Sequence, residues 1–208
     1  TVKIEYQKAD GTWTENPAEI TATNVADSIA TINVRASVES SYEGYVTGTQ
    51  KLVISQREVT VTGDGWSSEQ PYTGSEYKKE TYTFSNVVSG ETATITYSIT
   101  GTEVGPYTGT FGDDFKVKKD GLLGAETTAN YKLTEKTPGT LTITKSEIAQ
   151  YVTLSPTDVE KTYDGTTYTA GTATATDSNG KTVKIEYQKA DGTWTENAAE
   201  ITATNLAD

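Results

Sequence analysis

The residues that could do chemistry in this chain are few, and most are acidic. Asp113 and Asp114 stand side by side after Gly112. Paired carboxylates perform general acid–base work when burial separates their pKa values. Neighbours on a strand point to opposite faces, however, so a solvated loop is the simpler reading. The chain has no Cys and no His. That removes the thiol nucleophile, the usual general base and the commonest metal ligand. Carboxylate pairs, Ser–Lys dyads and a bound metal remain, none carried by a motif, and the expectation is that this is not an enzyme. Calcium is the more serious candidate, because it takes hard oxygen ligands from loops. Three loops are rich in oxygen: Thr176–Gly180, Gly112–Asp114 and Gly63–Gly65. Asp113, Asp114 and Asp177 are the candidate ligands. None of the loops has the spacing of an EF-hand, so turn chemistry competes with an interdomain calcium site.

Two other chemistries deserve a place. An internal Lys–Asn or Thr–Gln crosslink needs a buried Lys or Thr beside a buried acid; Lys51 and Asn33 are the pair considered, against ordinary surface polarity. Binding would use indoles. Trp13 and Trp194 each follow an Asp-Gly pair, and Trp66 follows Gly65. An exposed indole is a platform for sugar or a protein hot spot, and a buried one anchors a sheet.

Whatever positions these residues is repetitive. Thr1–Asp27 reappears as Thr182–Asp208, an offset of 181 residues, with Pro17 matched by Ala198 and Val25 by Leu206. Such self-similarity marks a tandem array. The period divides again, because Tyr72-Thr-Gly74 and Tyr163-Asp-Gly165 occupy matching places, and Pro138–Glu147 matches Thr47–Glu58. The array therefore alternates two related domains of about 90 residues. Residues 1–56 read as the back part of a type-1 domain, 57–147 as a complete type-2 domain, and 148–208 as the front part of the next type-1 domain. Residues 148–208 followed by 28–56 would make one whole type-1 domain.

The local patterns are those of strands. Thr92–Thr100, Thr140–Ser146 and Ala30–Val38 alternate with period two, and Lys51–Ser55 is a short apolar run. Asp10-Gly11 and Asp191-Gly192 lie between alternating segments, the strongest short hairpin signal. ESSYEG and KDGLLGAE could each form one helical turn. Strands spaced this way, with Gly, Asp, Asn and Pro between them, suggest all-β sandwiches rather than a parallel sheet. Val59, Val61, Ile95, Tyr97, Ile99, Leu141 and Ile143 are the expected core of the complete domain.

Composition fits this and narrows function. Thr is the commonest residue, and the 13 Tyr outnumber Phe and Trp together, a balance suited to half-buried pleated surfaces. A net charge of −12 opposes nucleic acid and anionic membranes, and keeps copies soluble and mutually repelling. No run of residues is long and apolar enough to span a membrane. With no Met in it, the chain reads as an internal segment of a longer protein.

The landmarks Tyr72-x-Gly74-x-x-Tyr77, Val104-Gly105-x-Tyr107, Asn130-Tyr131-x-Leu133 and Pro138–Ile143 together resemble the MBG-type repeats of bacterial surface proteins, β-sandwich modules related to immunoglobulin-like domains. The resemblance covers 57–147; the alternate type keeps only the Tyr-x-Gly and closing-strand landmarks. It implies an extracellular, cell-wall-anchored array on a Gram-positive cell surface and carries no catalytic residue. From the residues themselves, Gly74, Gly105 and Gly165 fit turns needing positive φ. The Tyr hydroxyls should reach backbone at sandwich corners, and Asn130 should bond the backbone of its own loop.

The expected function is a structural stalk of a cell-surface adhesin or fibre, with neighbouring repeat domains as partners and no cofactor. One alternative is a repeated module binding host glycan or matrix protein through avidity. Another is a self-associating filament subunit, completed head to tail between chains.

Overall fold

The computed structural model describes residues 1–38, 40–121 and 123–204. Among them the chain is all-β, with several sheets and five short 3-10 turns and no α-helix. It divides into two compact units. The first comprises 1–69, 77–101 and 106–142; the second comprises 70–76, 102–105 and 143–208.

The first unit opens with a four-stranded antiparallel sheet in the order Trp13–Thr14, Lys3–Gln7, Ile29–Ser37, Val46–Leu52. Its register pairs Ile4 with Ala36, Glu5 with Arg35 and Ala36 with Val46. The Asp10-Gly11 hairpin forms as expected. Gly11 N–H closes a turn on Lys8 O at 2.9 Å with φ +87°, and Asp10 Oδ1 accepts Thr12 N–H at 2.9 Å. ESSYEG contains a single turn, with Tyr42 N–H on Val38 O at 3.0 Å, and KDGLLGAE another, with Gly124 N–H on Gly121 O at 3.2 Å. Their members Glu39 and Leu122 lie outside the described residues.

Four residues after Leu52 the next strand begins. Arg57–Gly63 runs between Tyr82–Ser85, antiparallel, and Tyr131–Thr137, parallel, with a bulge at Leu133/Glu135. Parallel pairing is confined to closing contacts of this kind; the remaining ladders in the first unit are antiparallel. Tyr97–Gly101 lies between Tyr77–Lys79 and Thr110–Phe111, and Glu91–Thr94 pairs with Lys116–Lys119. The alternating run Thr92–Thr100 is thus two strands, not one. Asp114 breaks it: its carboxylate accepts Thr96 N–H at 2.8 Å and Thr96 Oγ1–H at 2.6 Å, so the backbone there leaves one ladder and joins another.

The expected core is buried. Val59, Val61, Ile95, Tyr97, Ile99 and Leu141 are at most 4% exposed, joined by Val117 and Tyr131. Phe84 meets Tyr82 and Phe115 at 5.6 Å, and Tyr97 meets Phe111 at 4.6 Å between ring centroids. Each fully buried aliphatic side chain contributes about 1.5–3 kcal/mol. Hydroxyls serve the backbone as expected: Tyr97 Oη donates to Asp64 O at 2.8 Å and accepts Gly139 N–H at 3.1 Å, and Tyr82 Oη accepts Ile95 N–H at 3.3 Å.

In the second unit Ile143 and Thr144 pair in parallel with Gln70 and Pro71. Val152–Ser155 pairs with Thr174–Asp177, Tyr168–Thr169 with Thr202–Ala203, and Tyr187–Gln188 with Trp194–Thr195. Gly74 and Gly165 take φ +77° and +74°. None of the described residues from 144 to 204 is buried, so these short ladders enclose no core of their own.

Candidate functional site

The three indoles have different surroundings. Trp13 is half-buried, with the Arg35 guanidinium 4.2 Å from its ring centroid. Arg35 also lies 4.2 Å over Tyr45, so one cation is held between two rings. Its Nε donates to Glu5 Oε2 at 2.8 Å, and Lys3 Nζ lies 3.0 Å from Glu5 Oε1. The Arg35 bond, and then that of Lys3, hold the Glu5 carboxyl below its ordinary pKa. Trp66 is half-buried, edge-on to Tyr77 at 6.0 Å, with Lys79 Nζ 4.5 Å above it. Trp194 is 60% exposed. Two of the candidate platforms are therefore covered by cations, and the third is open. Arg35 has no sequence signal beyond its place opposite Glu5, which only the strand register reveals.

The acidic loops are separate structures. Asp113 pairs with Lys136 Nζ at 3.1 Å. Asp114 turns inward to Thr96, whose hydroxyl and then amide keep its carboxyl below the ordinary value. Asp177 Oδ2 accepts Asn179 N–H at 3.0 Å and Lys181 N–H at 2.8 Å. Each carboxylate closes its own loop, and no group of three or more acidic side chains gathers among the described residues. Lys51 and Asn33 are both exposed, and Asn33 Nδ2 donates to Gln7 Oε1 at 2.8 Å. The apolar shielding that a crosslink needs is missing from that pair.

Asp164 is the most strongly perturbed of the turn acids. Lys161 Nζ lies 2.8 Å from its Oδ1, which also accepts Thr166 Oγ1–H at 2.7 Å and Thr166 N–H at 2.9 Å. These bonds, Lys161's foremost, lower its pKa from 3.8 to about 2. A carboxyl depressed on folding stabilises the turn fully above its unfolded pKa. That contribution fades as pH falls from 3.8 towards about 2. Carboxyl NMR titration should find Asp164 near about 2, and Lys161→Ala should return it towards 3.8.

The polar cluster with the longest reach lies where residues 1–56 meet 57–142. The 3-10 turns Val25–Asp27 and Thr128–Asn130 sit together. Asn130 Oδ1 accepts Val25 N–H at 2.8 Å, and its Nδ2 donates to Asn24 Oδ1 at 2.9 Å. Asn24 is oriented in turn by Asp27, whose Oδ2 accepts Asn24 Nδ2–H and N–H, both at 2.8 Å. Gln56 Nε2 reaches Ala129 O at 3.1 Å and Tyr131 O at 3.2 Å. Asn130 therefore does not bond its own loop as the sequence suggests; its loop is already closed by Asn130 N–H on Thr127 O at 2.9 Å, which frees the side chain to reach across. The second-copy equivalents of Asn24 and Asp27, Asn205 and Asp208, lie outside the described residues, as does Leu206.

Within the second unit the chain is fastened by other means. Tyr72 packs edge-on to Tyr151 at 6.4 Å, and Lys181 Nζ pairs with Glu103 Oε1 at 2.6 Å. No helix among the described residues is long and apolar enough to cross a membrane. Comparison with protein-family models, curated proteins and solved structures finds no match to this chain.

Proposed function

We propose that this chain is a spacer repeat of a bacterial cell-surface adhesin or fibre. In this reading tandem immunoglobulin-like β-sandwich domains of the MBG type, anchored to the cell wall, hold a binding region away from the cell. The observation that carries the proposal is the joint between residues 1–56 and 57–142. A spacer works only if its joints resist bending. Here four residues separate Leu52 from Arg57. They are tied on both sides, by Ile54 N–H on Ser28 Oγ at 2.9 Å and by Gln56 on the carbonyls of Ala129 and Tyr131. The Asn24–Asn130 bonds brace the same joint from the side. The 181-residue repetition supplies length by copying, and the −12 charge keeps parallel copies apart.

NMR relaxation tests this. Residues 1–52 and 57–142 should share one rotational correlation time. Each bond at the joint contributes about 1 kcal/mol, so Gln56→Ala with Asn130→Ala should let the two segments tumble separately while Val59 and Val61 keep their protection. Independent tumbling in the unaltered chain would remove the spacer reading. Saturable binding to glycan, mucin or matrix protein, lost on Trp13→Ala or Trp66→Ala, would replace it with repeated adhesion.

A further inference from the structure

The repeated hairpin stands in this structure in two different surroundings, and each copy lacks the cover the other has. In the first copy the face bearing Lys3, Glu5 and Trp13 is closed. Glu5 is 7% exposed, and Arg35 from the adjoining strand lies over Trp13. The opposite face is open: Val2 is 60% and Ile4 46% exposed, and the surface continues across the sheet past Ala36 to Val46 at 78%. A groove of ≈ 330 Å³ runs along it, lined by Val2, Ala36, Val38, Tyr42, Tyr45 and Val46.

In the second copy the pattern inverts. Val183 and Ile185, equivalent to Val2 and Ile4, are half-buried. Tyr187 Oη, equivalent to that of Tyr6, accepts Ala173 N–H at 2.8 Å, and Ala170 N–H reaches Ile201 O at 2.9 Å. The segment 148–181 thus accompanies the apolar side of this copy. The polar side is the one left open, with Glu186 and Trp194 exposed. The two covers use different faces, so a single hairpin can carry both.

We infer that the open apolar face of the Thr1–Leu52 sheet is a docking surface for segment 148–181 of a second copy of this chain. The occupant follows from the page: the same hairpin sequence already holds that segment in the second unit. The segment has no core of its own, and it exposes Leu154 at 57% and Val159 at 41%. Docking exchanges hairpins. Tyr6 takes the place of Tyr187 beside Ala173, and the hairpin 187–195 is released. The exchange is favoured because the first copy brings Ile29–Leu52 with it, so both faces of one hairpin are covered at once. Burial of apolar side chains drives it, against repulsion between chains of charge −12, so added salt should strengthen it.

The test uses the full chain and a synthetic peptide of residues 148–181, which lacks the competing hairpin. Excess peptide should slow amide exchange across Lys3–Gln7 and Val46–Leu52 by about tenfold or more. At high concentration without peptide the chain should sediment above its 22.3 kDa monomer mass, and peptide should return it to monomer. Val46→Asp, at an exposed position, should abolish both effects while exchange at Val59 and Val61 stays unchanged. The proposal is overturned if excess peptide leaves exchange at Lys3–Gln7 and Val46–Leu52 as it was, or if Val46→Asp binds the peptide like the parent chain.

Discussion

A Gly139→Ala chain is expected to lose about 3 kcal/mol or more from the fold of residues 57–142, a large value for one methyl group. Gly139 is not among the glycines of positive φ, so the demand on it is for space. A Cβ there would meet the backbone of Asp64 and Gly65, and one at Gly65 would meet the backbone of Thr140. Two chain segments pass each other at these glycines, and backbone cannot swing aside as the end of a side chain can. The hydrogen bonds that hold the crossing would also be strained: Trp66 N–H to Thr140 O at 2.8 Å, and Gly109 N–H to Gly139 O at 2.9 Å. Thermal denaturation should show a fall in Tm of about 10–20 °C for a domain of this size. Gly48→Ala is the control. It lies on a strand with nothing within 4 Å of an added Cβ, and it should change stability by no more than about 0.5 kcal/mol. Equal losses from the two variants would disprove the crowding argument.

Tyr97 joins the same crossing, and its two halves should separate under substitution. Its ring is 3% exposed and lies where a Cβ on Gly63 or Gly109 would fall, so those two glycines form its slot. Tyr97→Ala empties the slot and should cost about 3–5 kcal/mol, as other aromatic truncations in cores do. Tyr97→Phe keeps the ring and removes the hydroxyl that bridges Asp64 O and Gly139 N–H. Leaving those backbone groups unpaired should cost about 1–3 kcal/mol. Urea unfolding of the two variants measures both. If Phe were as costly as Ala, the polar bridge alone would hold the crossing; if Phe were neutral, the bridge would be replaceable by water.

These positions also show how far the chain could be read directly. The seven core residues were legible because period-two alternation places them on one face. The tyrosine hydroxyls were expected at backbone groups and are found there at Tyr97 and Tyr82. The glycine of the Pro138–Ile143 landmark was visible, but its reason was not, because the crossing backbone of Asp64 is 75 residues away in the chain. Thr92–Thr100 alternated without interruption, yet Asp114 divides it from 18 residues away. Asn130 was assigned to its own loop, and its partner Asn24 lies at a separation of 106.

The duplicated hairpin divides the two kinds of information cleanly. Asp10 and Asp191 cap their turns with the same bonds, 2.9 Å to the amide and 2.6 Å to the hydroxyl of the following Thr, and Asn16 and Asn197 each accept an Ala amide at 3.1 Å. Bonds that span two residues are fixed by the residues themselves, so the sequence alone determined this local form in both places. Burial is not local. Trp13 lies under Arg35 and Trp194 stands 60% exposed, although their flanking residues are the same. The tertiary structure decided that difference, because what covers a side chain is supplied by strands that reach it only through the fold.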